Sequence, residues 1–495
     1  MRERISEAMS DFFVNKIEFP ELIKDYDAIF EDEICAQRAY AVMLIKSGII
    51  DDVSGRRILE GLRYVKTHLK REDLKAEYED LYYNIEKCLI GRIGVETGGK
   101  LHTGRSRNDI GAAMNRMQVR KSILEVMENL IQLQEMLIEK AHFEQDVIIT
   151  GYTHTQPAQP TCMGHYYMAV YNALSRDFVR LKNAFLNTNI CPYGAAASLG
   201  ASFPIDREFL AEALGFDGVL ENSLDCIASK DFLLEAEMAY VNLLITVSRF
   251  AQDLYIWSTY EFGLLEFGGQ VAVCSSIMPQ KKNAAGLEYV KSKASHPMGT
   301  LMSTLAALKN IPFTNNIDIH EALWLYGEGV AETNKVLGMM RECLKYSHIN
   351  KERAYKMAKK NFCTVTGLAD MLVKECDISF EQAHYIVGTM AGETIQSGKG
   401  IDGMDSVLLN KTAEEYLGRT LEVSDKMISL ALEPYCNVQS KVTFGGPQKE
   451  SVDKMIIKAE KCNAEEQTWL NERRRGIGEG YELLNSEEKK ILQQL

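Results

Sequence analysis

The chain has 495 residues, 46% apolar and 25% charged, with a formal net charge of −13. This length implies roughly two to four domains, and the ordinary apolar content excludes a disordered chain. The acidic balance disfavours a nucleic-acid or anionic-membrane surface as the main partner, while leaving room for a local basic pocket that takes an acidic small molecule.

Met1 to Phe13 is charged and lacks a signal-peptide core. No apolar run is long enough to span a bilayer, so no membrane partner is expected. The 11 cysteines are odd in number and scattered; Cys35, Cys88, Cys162, Cys191 and Cys226 show no CxxC spacing. That fits reduced thiols and a cytoplasmic location. The nine histidines show no HExxH or similar spacing, so no metal site is expected.

Only 10 prolines occur, none between Ile205 and Met278 or between Phe313 and Glu433. Long proline-free stretches permit long helices. The expected fold class is all-α, with three parts: an N-terminal helical domain over 1–104, a central long-helix bundle over 105–345, and a C-terminal helical domain over 346–495. No alternation of strand and helix patterns and no internal repeat is visible.

The first part ends on a polar island, Leu101-His102-Thr103-Gly104-Arg105-Ser106-Arg107-Asn108-Asp109. Two guanidiniums, a hydroxyl and an amide fall close together there, and arginine forks match carboxylates. At the head of a long helix the island would add free N–H groups for an anion. A polar loop with a capping Ser or Asn is an equal reading. The helix itself is signalled by Val119, Ile123, Val126, Leu130, Leu133 and Leu137, an apolar seam at spacings of four and three.

A second island follows, Gly151-Tyr152-Thr153-His154-Thr155-Gln156-Pro157-Ala158-Gln159-Pro160. His154 stands among hydroxyls and amides at a proline-enforced break. It is read either as a structural histidine or as an acid–base group, since imidazole titrates near neutrality. Phe232 to Trp257 is apolar nearly all round, a helix expected to be buried on several sides, including by other subunits.

The third island, Cys274-Ser275-Ser276-Ile277-Met278-Pro279-Gln280-Lys281-Lys282-Asn283, lies beyond Gly268-Gly269. It is read as a surface turn or as a mobile loop that carries Ser275, Lys281 and Asn283 into a site. Neither a GxSxG elbow nor a Walker-type phosphate loop is present. The C-terminal charged segment, Ser451 to Leu495, is expected to be a solvated helix.

Together the three islands resemble the signature regions of the fumarase/aspartase superfamily, and their wording is most similar to argininosuccinate lyases: HTGRSRND, GYTH-Q-AQP and a GSSxMPxKxN-like loop, here CSSIMPQKKN. Similarity also runs through Pro192 to Arg207, Asn222 to Phe232, and Phe444-Gly445-Gly446-Pro447, covering about residues 20 to 450. The resemblance implies an all-α homotetramer with a multi-helix core, whose active sites are assembled from three subunits. It also implies a cofactor-independent carbon–nitrogen lyase that acts on a small dicarboxylate and releases fumarate by anti β-elimination.

The resemblance implies roles for individual residues. Ser275 matches the general base. Lys281 and Asn283 match groups that hold the substrate carboxylate and its developing charge. Ser106, Arg107 and Asn108 match succinyl-binding residues. Thr153, His154 and Gln156 lie in the second region, where carboxylate binding and proton donation are expected, and Glu288 matches the acidic partner of that histidine.

Departures fall on the amine side. Phe19-Pro20-Glu21-Leu22-Ile23 replaces an Asn-Ala-Ser stretch ahead of Tyr26-Asp27; Asp80-Leu81-Tyr82 replaces Asp-Ile-His; Asn315, His320 and Leu323 replace a tyrosine, a glutamine and a lysine; Lys230 replaces an arginine; and Cys274 replaces the loop's leading glycine. Changing polar partners can shift discrimination by orders of magnitude. The expectation is an N-substituted aspartate whose amine differs from arginine, with Asn315 and His320 among its binding residues. Alternatives are argininosuccinate itself, an adenylosuccinate or aspartate substrate, and a catalytically silent structural paralogue.

Overall fold

The computed structural model of the protein describes residues 7–493. The start of the Met1–Phe13 segment and the last two residues of the Ser451–Leu495 segment lie outside the described residues.

The fold is all-α. Its N-terminal part contains α1 (Phe19–Lys46), α2 (Asp52–His68) and α3 (Leu81–Ile93). The longest central helix, α4 (Arg107–Glu144), is followed by a hairpin of β1 (Ile148–Thr153) and β2 (Gln156–Cys162). Helix α5 (Met163–Thr188) then returns along α4, and α6 (Asp231–Trp257) packs on α5.

Two short antiparallel pairs follow. β3 (Leu265–Phe267) pairs with β6 (Ser347–Ile349), and β4 (Val273–Cys274) pairs with β5 (Lys282–Asn283). Between β5 and β6 lie α7 (Ala285–Lys293), α8 (His296–Leu308), α9 (Ile317–Glu321) and α10 (Tyr326–Lys345). Helices from Val365 to Leu432 form a separate small core around Leu368, Leu372, Ile386 and Leu409. The chain ends in α11 (Lys449–Gln493).

The expected seam is real: Val119, Ile123, Val126, Leu130, Leu133 and Leu137 are each 0% exposed. They pack with α5, α6 and α10 in one continuous core, because a side chain repeating every three to four residues stays on one helical face. On α6, Phe232, Leu233 and Leu243 face that core, while Met238 and Ile245 are 43% and 42% exposed. With Leu234 and Val241 they form an apolar stripe at helical spacing that this chain alone does not cover. Helix α8 adds Leu301, Met302 and Leu305 as further partly exposed apolar residues.

The charged C-terminal segment is a helix, but not a fully solvated one. One face of α11 buries Val452, Ile456, Leu470 and Leu484 against the bundle and the N-terminal part. Near its end Glu488 is 0% exposed, accepts from Arg38 Nε at 2.7 Å and from Arg63 Nε at 2.7 Å. Glu488→Ala is therefore expected to destabilise the fold by about 1–3 kcal/mol, a charged-hydrogen-bond loss softened because Arg63 can rehydrate. Urea unfolding measures it; an unchanged midpoint would remove α11 as a strap.

The strand pairs were not expected. The second island is a hairpin rather than a loop, with Pro157 and Pro160 in a two-stranded ribbon where an absent N–H is tolerated.

Candidate active site

The first island splits into two roles. Ser106 is the N-cap of α4: its Oγ accepts from Asn108 N at 3.3 Å, and Ser106 N donates to Asp109 Oδ1 at 3.0 Å, completing a capping box. Asp109 is 0% exposed, accepts from the Gly194 and Ala196 N–H groups, and is pushed up to about 6 by burial. Arg105 points inward, donating to Gln37 and Tyr193 and lying over the Tyr40 ring. Arg107 points outward instead. So the capping reading holds for Ser106, and of the two guanidiniums only Arg107 remains open to a ligand.

Arg107 Nη1 lies 2.9 Å from both Glu79 and Asp80, and the guanidinium covers the Tyr83 ring. Asn108 Nδ2 donates to the Ala197 carbonyl, and its Oδ1 accepts from Asn315 Nδ2 at 3.2 Å. His320 stands nearby; desolvation, then the charges of Lys230 and Arg107, hold its pKa below the usual imidazole value. The head of α4 and the 315–320 segment thus meet, some 207 residues apart in sequence.

Lys230 is 5% exposed, and burial, reinforced by Arg116, pushes its ammonium down to about 7. Below that value it is charged in both folded and unfolded chains, and the burial penalty is complete. Between about 7 and the ordinary lysine value of 10.5 the folded chain has lost the proton that the unfolded chain keeps, so the penalty shrinks as pH rises. Lys230→Met should raise the melting temperature at pH 6 and raise it less at pH 9; the reverse order would contradict the burial argument.

The second island places Thr153, His154 and Gln156 at the hairpin tip, all exposed. Thr153 pairs with Gln156, so His154 and Thr155 form the two-residue turn, at φ 51° and 60°. Two consecutive left-handed residues are what a right-twisted hairpin needs. A β-branched threonine there is strained, a condition that persists where neighbours enforce it and that clusters at functional sites.

The third island is an exposed loop closed by the β4–β5 pairing. Ser275 Oγ accepts from Ile277 N at 3.3 Å and from Met278 N at 3.1 Å. Lys281 is exposed, and Asn283 sits in β5 opposite Val273. Glu288 on α7 accepts from Tyr255 Oη at 2.9 Å, and no hydrogen bond joins it to His154 within this chain among the described residues.

One chain brings together Arg107, Asn108, Asn315, His320 and Lys230, but not all three islands. Helix α4 has 38 residues, which at 1.5 Å per residue is about 57 Å. Arg107 starts that helix and the His154 hairpin follows its end, so the two stand at opposite ends of the bundle.

The sequence reading missed a set of carboxylates that act on Asp80, namely Glu18, which also feels Arg107, with Asp25 and Glu33; Asp80 itself was noted only as a departure. A signal existed. Glu18, Glu21 and Asp25 recur at spacings of three and four, placing like charges on one helical face where opposite charges would be stabilising.

Among the described residues, no group of three or more His, Cys, Asp or Glu is placed to hold a metal ion. No described helix is long and apolar enough to cross a membrane.

Comparison with known proteins extends these observations. The profile of a family described as "Lyase" matches residues 7–299, and one described as "Argininosuccinate lyase C-terminal" matches residues 362–433. Argininosuccinate lyase 1 of Shouchella clausii is 36% identical over 96% of each chain. Argininosuccinate lyase of Methanococcoides burtonii is 38% identical over 86% of each. Among solved structures, EDDS lyase in complex with formate is 30% identical, covers 99% of this chain and 97% of its own, and superposes with a TM-score of 0.88.

Proposed function

Since the chain belongs to the fumarase/aspartase superfamily, on its argininosuccinate lyase-like branch, and is therefore a carbon–nitrogen lyase, we propose that it eliminates an amine from an N-substituted aspartate to give fumarate, with Ser275 as the base. The observation that carries this reading is the environment of Ser275. Two backbone N–H groups already point at its oxygen, and donors to the charged form of a group favour that form.

The steps follow from the residues. Ser275 takes the proton from the carbon next to the one that bears the leaving nitrogen. Negative charge then spreads into the adjacent carboxylate, where Lys281 and Asn283 meet it. His154, oriented by Glu288, returns a proton to the departing nitrogen directly or through a water it orders, with Thr153 beside it and Gln156 binding substrate. Ser106, Arg107 and Asn108 hold the succinyl carboxylates, Arg107 by its fork.

These groups converge only if chains assemble. The separation of about 57 Å along α4 and the uncovered stripe on α6 support a homotetramer in which antiparallel bundles bring the head of one chain's α4 to another's hairpin. Such a self-complementary apolar seam suits a closed, symmetric oligomer.

Identities of 36% and 38% to argininosuccinate lyases favour argininosuccinate as a second substrate reading. The replacements at Glu21, Asn315, His320 and Leu323 favour another amine. Purified enzyme is incubated with argininosuccinate, adenylosuccinate, aspartate and a panel of N-alkylaspartates, and fumarate is read by absorbance. Fumarate from an N-alkylaspartate is the expected result. No fumarate from any of them would identify a silent paralogue.

A further inference from the structure

A cavity of about 480 Å³ opens where α1, α4 and α11 pack on one another. None of the groups assigned to elimination lines it. Its size is that of a small-molecule site, and such sites favour the seams between domains. Here the seam is explicit. Met117 and Tyr481 pack with the core of the N-terminal part, Leu124 and Ile477 with that of the bundle. These four residues give the cavity an apolar wall.

The charged groups at the cavity lack counter-ions. Arg120 is 2% exposed, and its hydrogen bonds go to neutral acceptors. Nη1 donates to Asn189 Oδ1 at 2.9 Å and to the Gly215 carbonyl at 3.0 Å; Nη2 donates to the Leu214 carbonyl at 2.7 Å and to Tyr481 Oη at 3.3 Å. Among the described residues its Nε has no acceptor, and no carboxylate forms an ion pair with the guanidinium. A buried guanidinium is ordinarily matched by an anion, so Arg120 calls for one on its cavity side.

Lys121, the next residue, is exposed and lines the same cavity, with no hydrogen bond or ion pair from its ammonium among the described residues. Asp32 lines it from α1, half-buried and equally unheld. Burial raises the Asp32 pKa, and the charges of Lys121 and Arg120 act against that rise. Two further charges stand at the rim. Arg474 is engaged by Glu128 at 2.7 and 3.2 Å, and Glu125 lies one turn beyond Lys121 without an ion pair to it. The cavity therefore offers an open cation and an open anion beside an apolar wall.

We propose that this cavity binds a free α-amino acid with an apolar side chain: the carboxylate meets Lys121 and Arg120 Nε, the ammonium meets Asp32, and the side chain lies on Met117, Leu124 and Ile477. A zwitterion answers both signs at once. A simple carboxylic acid would leave Asp32 without a donor, and a simple amine would leave Arg120 without an anion. The ligand touches α1, α4 and α11 together, so it ties the N-terminal part to the bundle, and by binding only the folded chain it stabilises that packing. The site is separate from the elimination groups, so its failure would leave the lyase reading in place.

Calorimetric titration of the full-length, assembled enzyme with leucine tests this. Glycine, 4-methylpentanoate and 3-methylbutylamine serve as analogues that lack the side chain, the ammonium and the carboxylate in turn. Leucine is expected to bind with a Kd of about 1 mM or tighter. Each analogue should bind about tenfold or more weakly, because it loses a hydrogen-bonded charge or the apolar contact. Asp32→Asn and Lys121→Met should each weaken leucine binding by about tenfold or more, while fumarate formation and the melting temperature of the free enzyme stay those of the parent. No heat with leucine, equal binding of leucine and any analogue, or unchanged leucine binding in both variants overturns the site.

Discussion

Ser275→Ala is expected to lower kcat by about a thousandfold or more, the upper range for removing a positioned general base, while the oligomer and its melting temperature stay unchanged. A hydroxyl is a weak base. Lowering its pKa by about six units requires about 8 kcal/mol at 1.36 kcal/mol per unit. The Ile277 and Met278 N–H groups that meet its Oγ each provide a hydrogen bond to a charged oxygen, worth about 1.5–3 kcal/mol. Together they supply roughly half of what is needed. The remainder falls to the Lys281 ammonium and to exclusion of water when the loop folds over a substrate. Lys281→Met should accordingly lose activity in kcat more than in KM. Fumarate formation by purified variants, with size-exclusion chromatography as the control, measures both effects. Ser275→Ala turnover within tenfold of the parent would remove this serine as the base.

Mixing two inactive variants should restore activity. Arg107→Ala removes a carboxylate fork at the head of α4, and His154→Ala removes the imidazole at the hairpin beyond its far end. Each alone is expected to lose at least a hundredfold, within the range for a charged partner or proton donor. If a site takes Arg107 from one chain and His154 from another, equal mixing with free exchange leaves half of the heads and half of the hairpins intact. Random assortment then gives about a quarter of the sites both groups. If one chain supplied both groups, no site could be intact and the mixture would remain dead. The variants are dissociated together in mild denaturant, returned to buffer and assayed for fumarate. Recovery near a quarter supports sites shared between chains; no recovery, with the oligomer re-formed, contradicts them.

The bundle was legible in the sequence because helical burial is a local rule: Val119 to Leu137 repeat with the turn of the helix, and every one of them is buried. The residue types of the site were legible too, since the three islands interrupt that pattern with groups a core would not hold. What those groups face was not. Arg105 and Arg107 are two residues apart and look equivalent in sequence, yet one is sealed among Tyr40, Tyr193 and Gln37 while the other opens onto Asp80. The direction of each depends on where the cap at Ser106 starts the helix and on what packs beside it.

The turn at His154 and Thr155 was hidden for a similar reason. Neither residue favours a left-handed backbone, and only the pairing of β1 with β2 imposes it. By itself the sequence determined the helical architecture, the lyase family and the chemical groups available for elimination. Tertiary structure decided which groups meet. It alone joins Asn108 to Asn315, puts Lys230 near His320, and sets Glu79 and Asp80 on Arg107. Periodicity records how each helix meets its own core, but the partners of its charged groups are set where separate elements converge.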